Sequence, residues 1–238
     1  MSNDVVFCIP VRGGSRRIPR KNMLVLDGET LIARKIRQVS PLGTVVVGSD
    51  DDEMLEEAVS HGAISVRRAR TDEGRDSAND MIGEFMKILS VFEREGLFHP
   101  RTIVWSHVTS PFVSTETYRK ALEEFEKGLA EGYDSLVGVK EVREHLWCSD
   151  MRTPMYPLEQ CRVRHICAGD LEPIYQQNGA LFIQRFEQMK SDKYFFGNHP
   201  RLFVMSDYES VDINTMDDWV CAKALYEYRK GNGFSSGA

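Results

Sequence analysis

The chain has 238 residues, a formal net charge of −6 and an apolar fraction of 42%, which suits one large α/β domain or one domain with a small insertion. Net acidity argues against the broad basic face that non-specific nucleic-acid binding needs, and no apolar run approaches the ~20 residues of a membrane span. The N-terminus lacks the basic and apolar regions of a signal peptide, so the expected compartment is the cytoplasm.

Val5–Val11 is a short apolar run that reads as a buried strand. It leads into Arg12-Gly13-Gly14-Ser15-Arg16-Arg17-Ile18-Pro19-Arg20-Lys21-Asn22. Two glycines, a serine and dense cations at a strand's end suit phosphate, through free N–H groups and positive charge. Such cations repel one another unless an anion or neighbouring acids offset them. No Gly-Lys-Ser/Thr follows and Gly-x-Gly-x-x-Gly is absent, so neither the Walker ATPase nor the dehydrogenase reading is supported.

Strands and helices then alternate. Leu31–Val39, after the Gly28-Glu29-Thr30 turn, reads as an amphipathic helix, and Thr44–Val47 as the second strand. That strand ends in Gly48-Ser49-Asp50-Asp51-Asp52-Glu53, where Ser49 or Asp50 can cap a helix running to about His61-Gly62. Acids in its first turn suit the helix dipole, and Gly62 suits its C-terminal cap. Ile64–Val66 is a third short strand. Asp80–Glu95 reads as a long helix with Ile82, Phe85, Met86, Leu89 and Phe92 on its core face. Thr102–Trp105 is the next buried strand and leads to His107-Val108-Thr109-Ser110-Pro111. Ser114 can cap a helix over Thr115–Leu129, and Asp134–Val139 is a further strand. This alternation implies right-handed crossovers and a mostly parallel sheet, with ligands outside the strands' carboxyl ends. The basic loop, Ser49-Asp50 and His107–Pro111 should gather on that edge.

From about Lys140 to Gln176 the rhythm breaks. Pro154, Pro157, Pro173 and mixed charge read as an inserted arm with room for a hairpin. Strands resume at Gly179–Ile183 and Arg201–Met205. Val211-Asp212-Ile213-Asn214 follows, and Thr215-x-x-Asp218 makes a capping box for the helix Met216–Arg229. Gly231–Ala238 reads as a disordered, flexible tail. The five cysteines are odd in number and lack paired spacing, which fits reduced thiols. Cys161, His165 and Cys167 lie close together, but without the Cys-x-x-Cys or His-x-x-x-His spacing of a zinc site.

The loop from Pro10 to Asn22 resembles the signature of the cytidylyltransferases that activate acidic sugars, the CMP-sialic acid (acylneuraminate) synthetases and their relatives for legionaminic, pseudaminic and 3-deoxy-octulosonic acids. Further segments match in order. These are Val47-Gly48-Ser49-Asp50-Asp51, Arg68, Asp76-Ser77-Ala78-Asn79, Thr109-Ser110-Pro111, Asn178-Gly179-Ala180-Leu181-Phe182-Ile183 and Val211-Asp212-Ile213-Asn214-Thr215. The resemblance implies a Rossmann-like, three-layer nucleotidyltransferase domain over residues 1–230. It also implies a homodimer, with the segment at about 140–176 as the dimerisation arm, and Mg²⁺ as cofactor. The implied reaction is in-line attack of a sugar's anomeric hydroxyl on the α-phosphorus of CTP, with pyrophosphate leaving.

Residue by residue, the resemblance places Arg12 and Lys21 on the phosphates and the leaving group, and the N–H groups of Gly13, Gly14 and Ser15 as a phosphate cradle. Asn22 would hold the nucleotide, and Arg68 and Asn79 would line the base and ribose pocket. Asp212 would hold Mg²⁺ and orient the attacking hydroxyl. Three departures leave alternatives open. His107-Val108 stand where the family has the glutamine and proline that begin its base-reading turn, so another nucleotide such as GTP stays open. Asn214 replaces the second metal aspartate but keeps one oxygen ligand. At the sugar-binding positions, Asn178 keeps the family's residue. Gln176 replaces an arginine that helps bind the sugar carboxylate, which opens a sugar phosphate or a phosphonate as acceptor; Arg162, Arg164 or His165 could substitute from the arm. A non-catalytic, nucleotide-binding dimer is the remaining reading.

Overall fold

A computed structural model describes residues 4–15, 17–68 and 78–232. Its strands are β1 (Val5–Pro10), β2 (Val25–Leu26), β3 (Glu29–Thr30), β4 (Thr44–Ser49), β5 (Ile64–Arg67), β6 (Thr102–Ser106), β7 (Ser135–Val142), β8 (Ile174–Arg185) and β9 (Pro200–Met205). Its α-helices are α1 (Leu31–Val39), α2 (Asp52–Ser60), α3 (Ala78–Arg94), α4 (Thr115–Ala130), α5 (Leu158–Val163), α6 (Phe186–Asp192) and α7 (Met216–Gly231).

Seven strands form one sheet in the order β5-β4-β1-β6-β8-β7-β9. β4 and β6 both pair parallel to β1, with Cys8 beside Val46 on one side and Trp105 on the other. β8 runs antiparallel to both its neighbours, while β9 is again parallel to β7. The strands are apolar on both faces because both faces are covered, as parallel sheets require. Phe7, Ile9, Val45, Val47 and Val104 pack on one side with Ile32 and Ile36 of α1, Met54 of α2, Tyr118 and Phe125 of α4 and Trp219 of α7. Val6, Cys8, Val46, Ile103 and Trp105 pack on the other with Ile82, Phe85 and Leu89 of α3 and Phe186 and Met189 of α6. The molecule therefore has the expected three layers, with the period-two alternation of each strand dividing its side chains between two cores.

Several local expectations are corrected. The cap of α2 is Asp51, whose carboxylate accepts from Met54 N at 3.2 Å. Ser49 instead accepts from Asp51 N, and Asp50 turns to the basic loop. The irregular arm is shorter than read, because β7 and β8 pair as far out as Val142↔Ile174 and leave only 143–173 outside the ladder. α6 directly follows β8 with no side-chain cap, so no start signal marked it. Gly231, read as part of the tail, closes α7, and 233–238 lie outside the described residues. Ser114 caps α4 and the Thr215/Asp218 capping box opens α7, both as read. Among the described residues, no helix is long and apolar enough to cross a membrane.

Candidate active site

A cavity of about 770 Å³ opens at the carboxyl ends of β1 and β6. This is where the order of the parallel strands reverses: β4 and β5 lie on one side of β1, β6 on the other. Arg12, Ser15, Arg17, Lys21 and Asn22 of the basic loop, Arg68 after β5, His107–Thr109 after β6, Gly179 of β8, and Asp212 and Asn214 all line it.

Backbone bonds across the edge explain why these segments meet. Val11 N donates to Gly48 O at 2.9 Å, Arg68 N to Ser49 O at 2.9 Å, and Ile213 N to Thr109 O at 2.9 Å. Lys21 Nζ donates to Ile213 O at 2.7 Å, tying the basic loop to the segment before α7. Desolvation pulls the Lys21 ammonium below its ordinary range, and nearby Asp212 pulls it partly back. Arg17 donates to Asn214 Oδ1 at 2.9 Å, and Asn214 Nδ2 donates to Asp212 Oδ2 at 2.5 Å. Asp218 Oδ2 accepts from Asn214 N and Thr215 N at 2.9 and 2.7 Å, so the capping box also holds the site segment. Among the described lining residues, the cavity wall thus sets four cations, Arg12, Arg17, Lys21 and the Glu84-paired Arg68, with one carboxylate, Asp212. That field suits a polyphosphate.

The other expected residues divide. Asn22 is buried, and its amide donates to Arg12 O at 3.1 Å, so it fixes the entry to the loop as well as lining the cavity. Gly13 N donates to Asp50 Oδ1 at 2.8 Å and Ser15 N to Gly13 O at 3.2 Å. In this conformation two of the three N–H groups read as a phosphate cradle, those of Gly13, Gly14 and Ser15, are therefore already committed. The physical reason is the repulsion among the cations, which an acid from the end of β4 offsets. A Cβ on Gly13 would stand 2.8 Å from Asp51 Oδ2, so a side chain there would push on the carboxylate that caps α2. Arg68 is buried, with Nε on Glu84 of α3 at 3.2 Å. Asn79, in the first turn of α3, is exposed and outside the lining, and Asp76 and Ser77 lie outside the described residues.

His107 borders the cavity, but both ring nitrogens are engaged within the chain. Nδ1 donates to Gly179 O at 2.8 Å, and Nε2 accepts from the Trp105 indole at 3.3 Å. Desolvation pushes the imidazole below its ordinary range, against the support of the Gly179 carbonyl. It is neutral and offers ring surface rather than a hydrogen-bonding edge. Gly179 sits at φ +70°, a conformation that favours glycine, beside the register shift between Val137 and Val139. Asn178 turns inward: Nδ2 donates to Ser210 Oγ at 3.0 Å, and Oδ1 accepts from Ala180 N at 3.1 Å. Gln176 is exposed on the outer ladder opposite Lys140, away from the lining. Arg17, Met81 and Thr109 line the cavity although no role was read for them. Arg17 was one cation among several, and only its reach to Asn214 distinguishes it.

Comparison with known proteins agrees with this geometry. The sequence model of the family described as Cytidylyltransferase matches residues 6–230. The chain is 30% identical over 230 residues to the CMP-N,N'-diacetyllegionaminic acid synthase of Legionella pneumophila, covering 94% of this chain and 96% of that one. It is 24% identical over 234 residues to a pseudaminic acid cytidylyltransferase of Campylobacter jejuni, covering 95% and 97%. Its fold superimposes with a TM-score of 0.62 on a CMP:2-keto-3-deoxy-manno-octonic acid synthetase complexed with CTP, at 14% identity and covering 95% and 99%. With the basic loop, the Thr109-Ser110-Pro111 turn and the Asp212 segment assembled around one cavity, the chain belongs to the cytidylyltransferase family and is a nucleotidyltransferase.

Proposed function

We propose that the enzyme transfers CMP from CTP to the anomeric hydroxyl of an acidic, nonulosonate-type sugar and releases pyrophosphate. The observation that carries this reading is the gathering of Arg12, Arg17, Lys21 and Asp212 in the wall of one cavity at the strand-order reversal. In the reaction a bond forms between the sugar oxygen and the α-phosphorus, the α–β bridge breaks, and the hydroxyl proton passes to solvent. Arg12 and Lys21 offset charge on the leaving pyrophosphate, while the Asp212 carboxylate orients the hydroxyl. Asn22 and the Gly13-Gly14-Ser15 turn hold the loop in register with the phosphates. The relatives named for legionaminic and pseudaminic acids support the acceptor class, and the CTP-bound structural neighbour supports the nucleotide.

The donor set fits Mg²⁺ in a limited way. Asp212 supplies a carboxylate, whereas the Asn214 oxygen is held by Arg17. Among the described residues there is no cluster of three or more His, Cys, Asp or Glu side chains placed around a metal. A hard cation that keeps its waters and is shared with substrate phosphates needs little more than one carboxylate. When bound, it would neutralise phosphate charge beside Asp212. We further propose a homodimer built through the arm, whose Trp147, Met151, Met155 and Val163 are 52, 85, 49 and 91% exposed. Arg162, Arg164 and His165 of the same arm are the residues it would bring toward a partner's acceptor. The cytoplasm, which supplies nucleoside triphosphates and keeps thiols reduced, is the fitting compartment.

The test is pyrophosphate release with CTP, GTP, ATP or UTP against N,N'-diacetyllegionaminic, pseudaminic and N-acetylneuraminic acids. Release with CTP and one of these acids is expected. Release only with GTP, or only with a sugar phosphate or a phosphonate, overturns the reading. Light scattering at elution checks the dimer.

A further inference from the structure

The turn after β6 carries Val108 and Thr109 into the wall of the cavity. It lies outside every strand and helix, so no sheet ladder satisfies its carbonyls. Ser110 N donates to His107 O at 3.3 Å, and Ile213 N to Thr109 O at 2.9 Å. The next two carbonyls are taken by side chains of one helix. Lys35 Nζ donates to Ser110 O at 2.9 Å, and Gln38 Nε2 to Pro111 O at 2.8 Å. Lys35 and Gln38 stand three residues apart in α1, on one face. α1 thus grips the turn from behind at two successive positions. Ser110 is fully buried, which leaves its carbonyl to Lys35 rather than to solvent.

The same ammonium also heads a chain of hydroxyls. Nζ donates to the Tyr118 hydroxyl of α4 at 2.7 Å. The Tyr118 and Ser106 hydroxyls lie 2.6 Å apart, and Ser106 Oγ donates to Ala180 O at 2.8 Å. The one Ser106 proton is committed to that carbonyl, so Tyr118 donates to Ser106 and accepts from Lys35. The chain ends at Ala180, next to Gly179 in the cavity wall. All three side chains belong to buried residues, Lys35 and Ser106 at 0% and Tyr118 at 1% exposure. Burying an ammonium is costly, and a methionine of similar length would fill the space without dehydrating a charge. Methionine lacks the donors that hold the Ser110 carbonyl and start the hydroxyl chain.

From the turn the bonds run on to the reacting groups. Thr109 O holds Ile213 N, and Ile213 O accepts from Lys21 Nζ at 2.7 Å. We propose that Lys35 is a positioning residue for the reaction: its ammonium holds the Thr109–Ser110 turn, and through that turn the Asp212 segment, in register with the basic loop. Lys35 lies outside the cavity lining and acts only through the groups it holds. Its effect on turnover rests on the CMP-transfer reading, whereas its hold on the wall does not.

The test compares Lys35→Met with the wild type by two readouts. Steady-state pyrophosphate release should show kcat reduced about tenfold and the KM for CTP within about twofold, because the cations of the basic loop stay in place. Hydrogen exchange read by mass spectrometry should show residues 211–215 exchanging at least about tenfold faster, with β1 and β4 at wild-type rates. Thr30→Ala removes the cap of α1 without touching the turn, and should lower Tm while leaving kcat and the exchange of 211–215 unchanged. If Lys35→Met fails to fold, Tyr118→Phe removes the hydroxyl that orients the ammonium and should move both readouts the same way by about threefold. A wild type that releases no pyrophosphate overturns the transfer reading alone, and the exchange result then decides the hold on the wall. Unchanged exchange at 211–215 overturns the proposal. So does full kcat in Lys35→Met, or a Thr30→Ala variant that reproduces both changes.

Discussion

Lys21 and Lys35 stand on opposite sides of the same wall and meet different fates. Each donates to a backbone carbonyl, Lys21 to Ile213 O at 2.7 Å and Lys35 to Ser110 O at 2.9 Å. Lys21 borders the open cavity and has Asp212 to favour its charge. Lys35 is fully buried in α1, with the Tyr118 hydroxyl at 2.7 Å and the Arg34 cation as its charged neighbour. Burial pushes the Lys35 ammonium down to about 7, with Arg34 adding to the fall. A cation at the cavity mouth can be offset by an arriving polyphosphate, whereas one in the layer behind is offset only by dipoles. The same residue type therefore serves binding in one place and is a stability liability in the other.

The largest effect expected from breaking this contrast is at the mouth. Lys21→Ala should cut CMP transfer by about 10²–10³-fold, the scale of removing one charge-stabilising donor. Pyrophosphate release measures it, and an unchanged circular dichroism spectrum shows that the fold survives. Full activity in that variant would disprove the role of the cavity mouth. Asp212→Asn comes next, with a loss of about 10²-fold and weaker Mg²⁺ dependence, since it removes the carboxylate that the described residues give the wall.

The layer behind should respond in stability and in its pH dependence. The folded-state pKa of Lys35 lies below its unfolded value, so the unfolded chain binds more protons between them. Its burial cost is full below pH 7 and fades as pH rises from about 7 toward about 10.5. Relative to Lys35→Met, the wild type should gain stability across that window, at a slope approaching about 1.4 kcal/mol per pH unit. Urea unfolding of both proteins at pH 6, 8 and 10 measures the difference. A gap that stays constant across the three would show that Lys35 does not titrate. At the mouth again, Asn214→Asp should lower the Mg²⁺ needed for half-maximal activity several-fold, because it restores a charged oxygen ligand beside Asp212. Manganese-induced water relaxation gives an independent readout.

How much of this was legible depended on what each residue's pattern records. β1, β4 and β6 were visible because strands buried on both faces are continuous apolar runs. The direction of β8 was not, since alternation carries no sign of parallel or antiparallel pairing. α6 is seven residues long and uncapped, too short for a period to show. At the site, the basic loop and the Asp212 segment were legible as motifs, but the pairing of Arg17 with Asn214 spans 197 positions and exists only in the fold. The same is true of His107, whose two nitrogens are taken by Trp105 and Gly179. Lys35 did leave a signal that went unread: it lies four residues after Leu31 and three after Ile32, on the apolar stripe of α1.

The smallest predicted effect tests whether the wall of the mouth is held from behind. Thr215 caps α7, and Asp218 returns the favour by accepting from Thr215 N and Asn214 N. Thr215→Ala removes one arm of that box and should cost about 1 kcal/mol. For a chain of this size that is a fall of about 2–4 °C in Tm. Since Asn214 is hung from the same carboxylate, the variant should also loosen the segment that carries Asp212. A purely structural cap would lower Tm and leave kinetics alone. A cap that positions the site should in addition lower kcat while the KM for CTP changes little, because the cations of the basic loop stay in place. Thermal melts and steady-state assays on one preparation separate the two, and an unchanged kcat would confine Asp218 to the helix it opens.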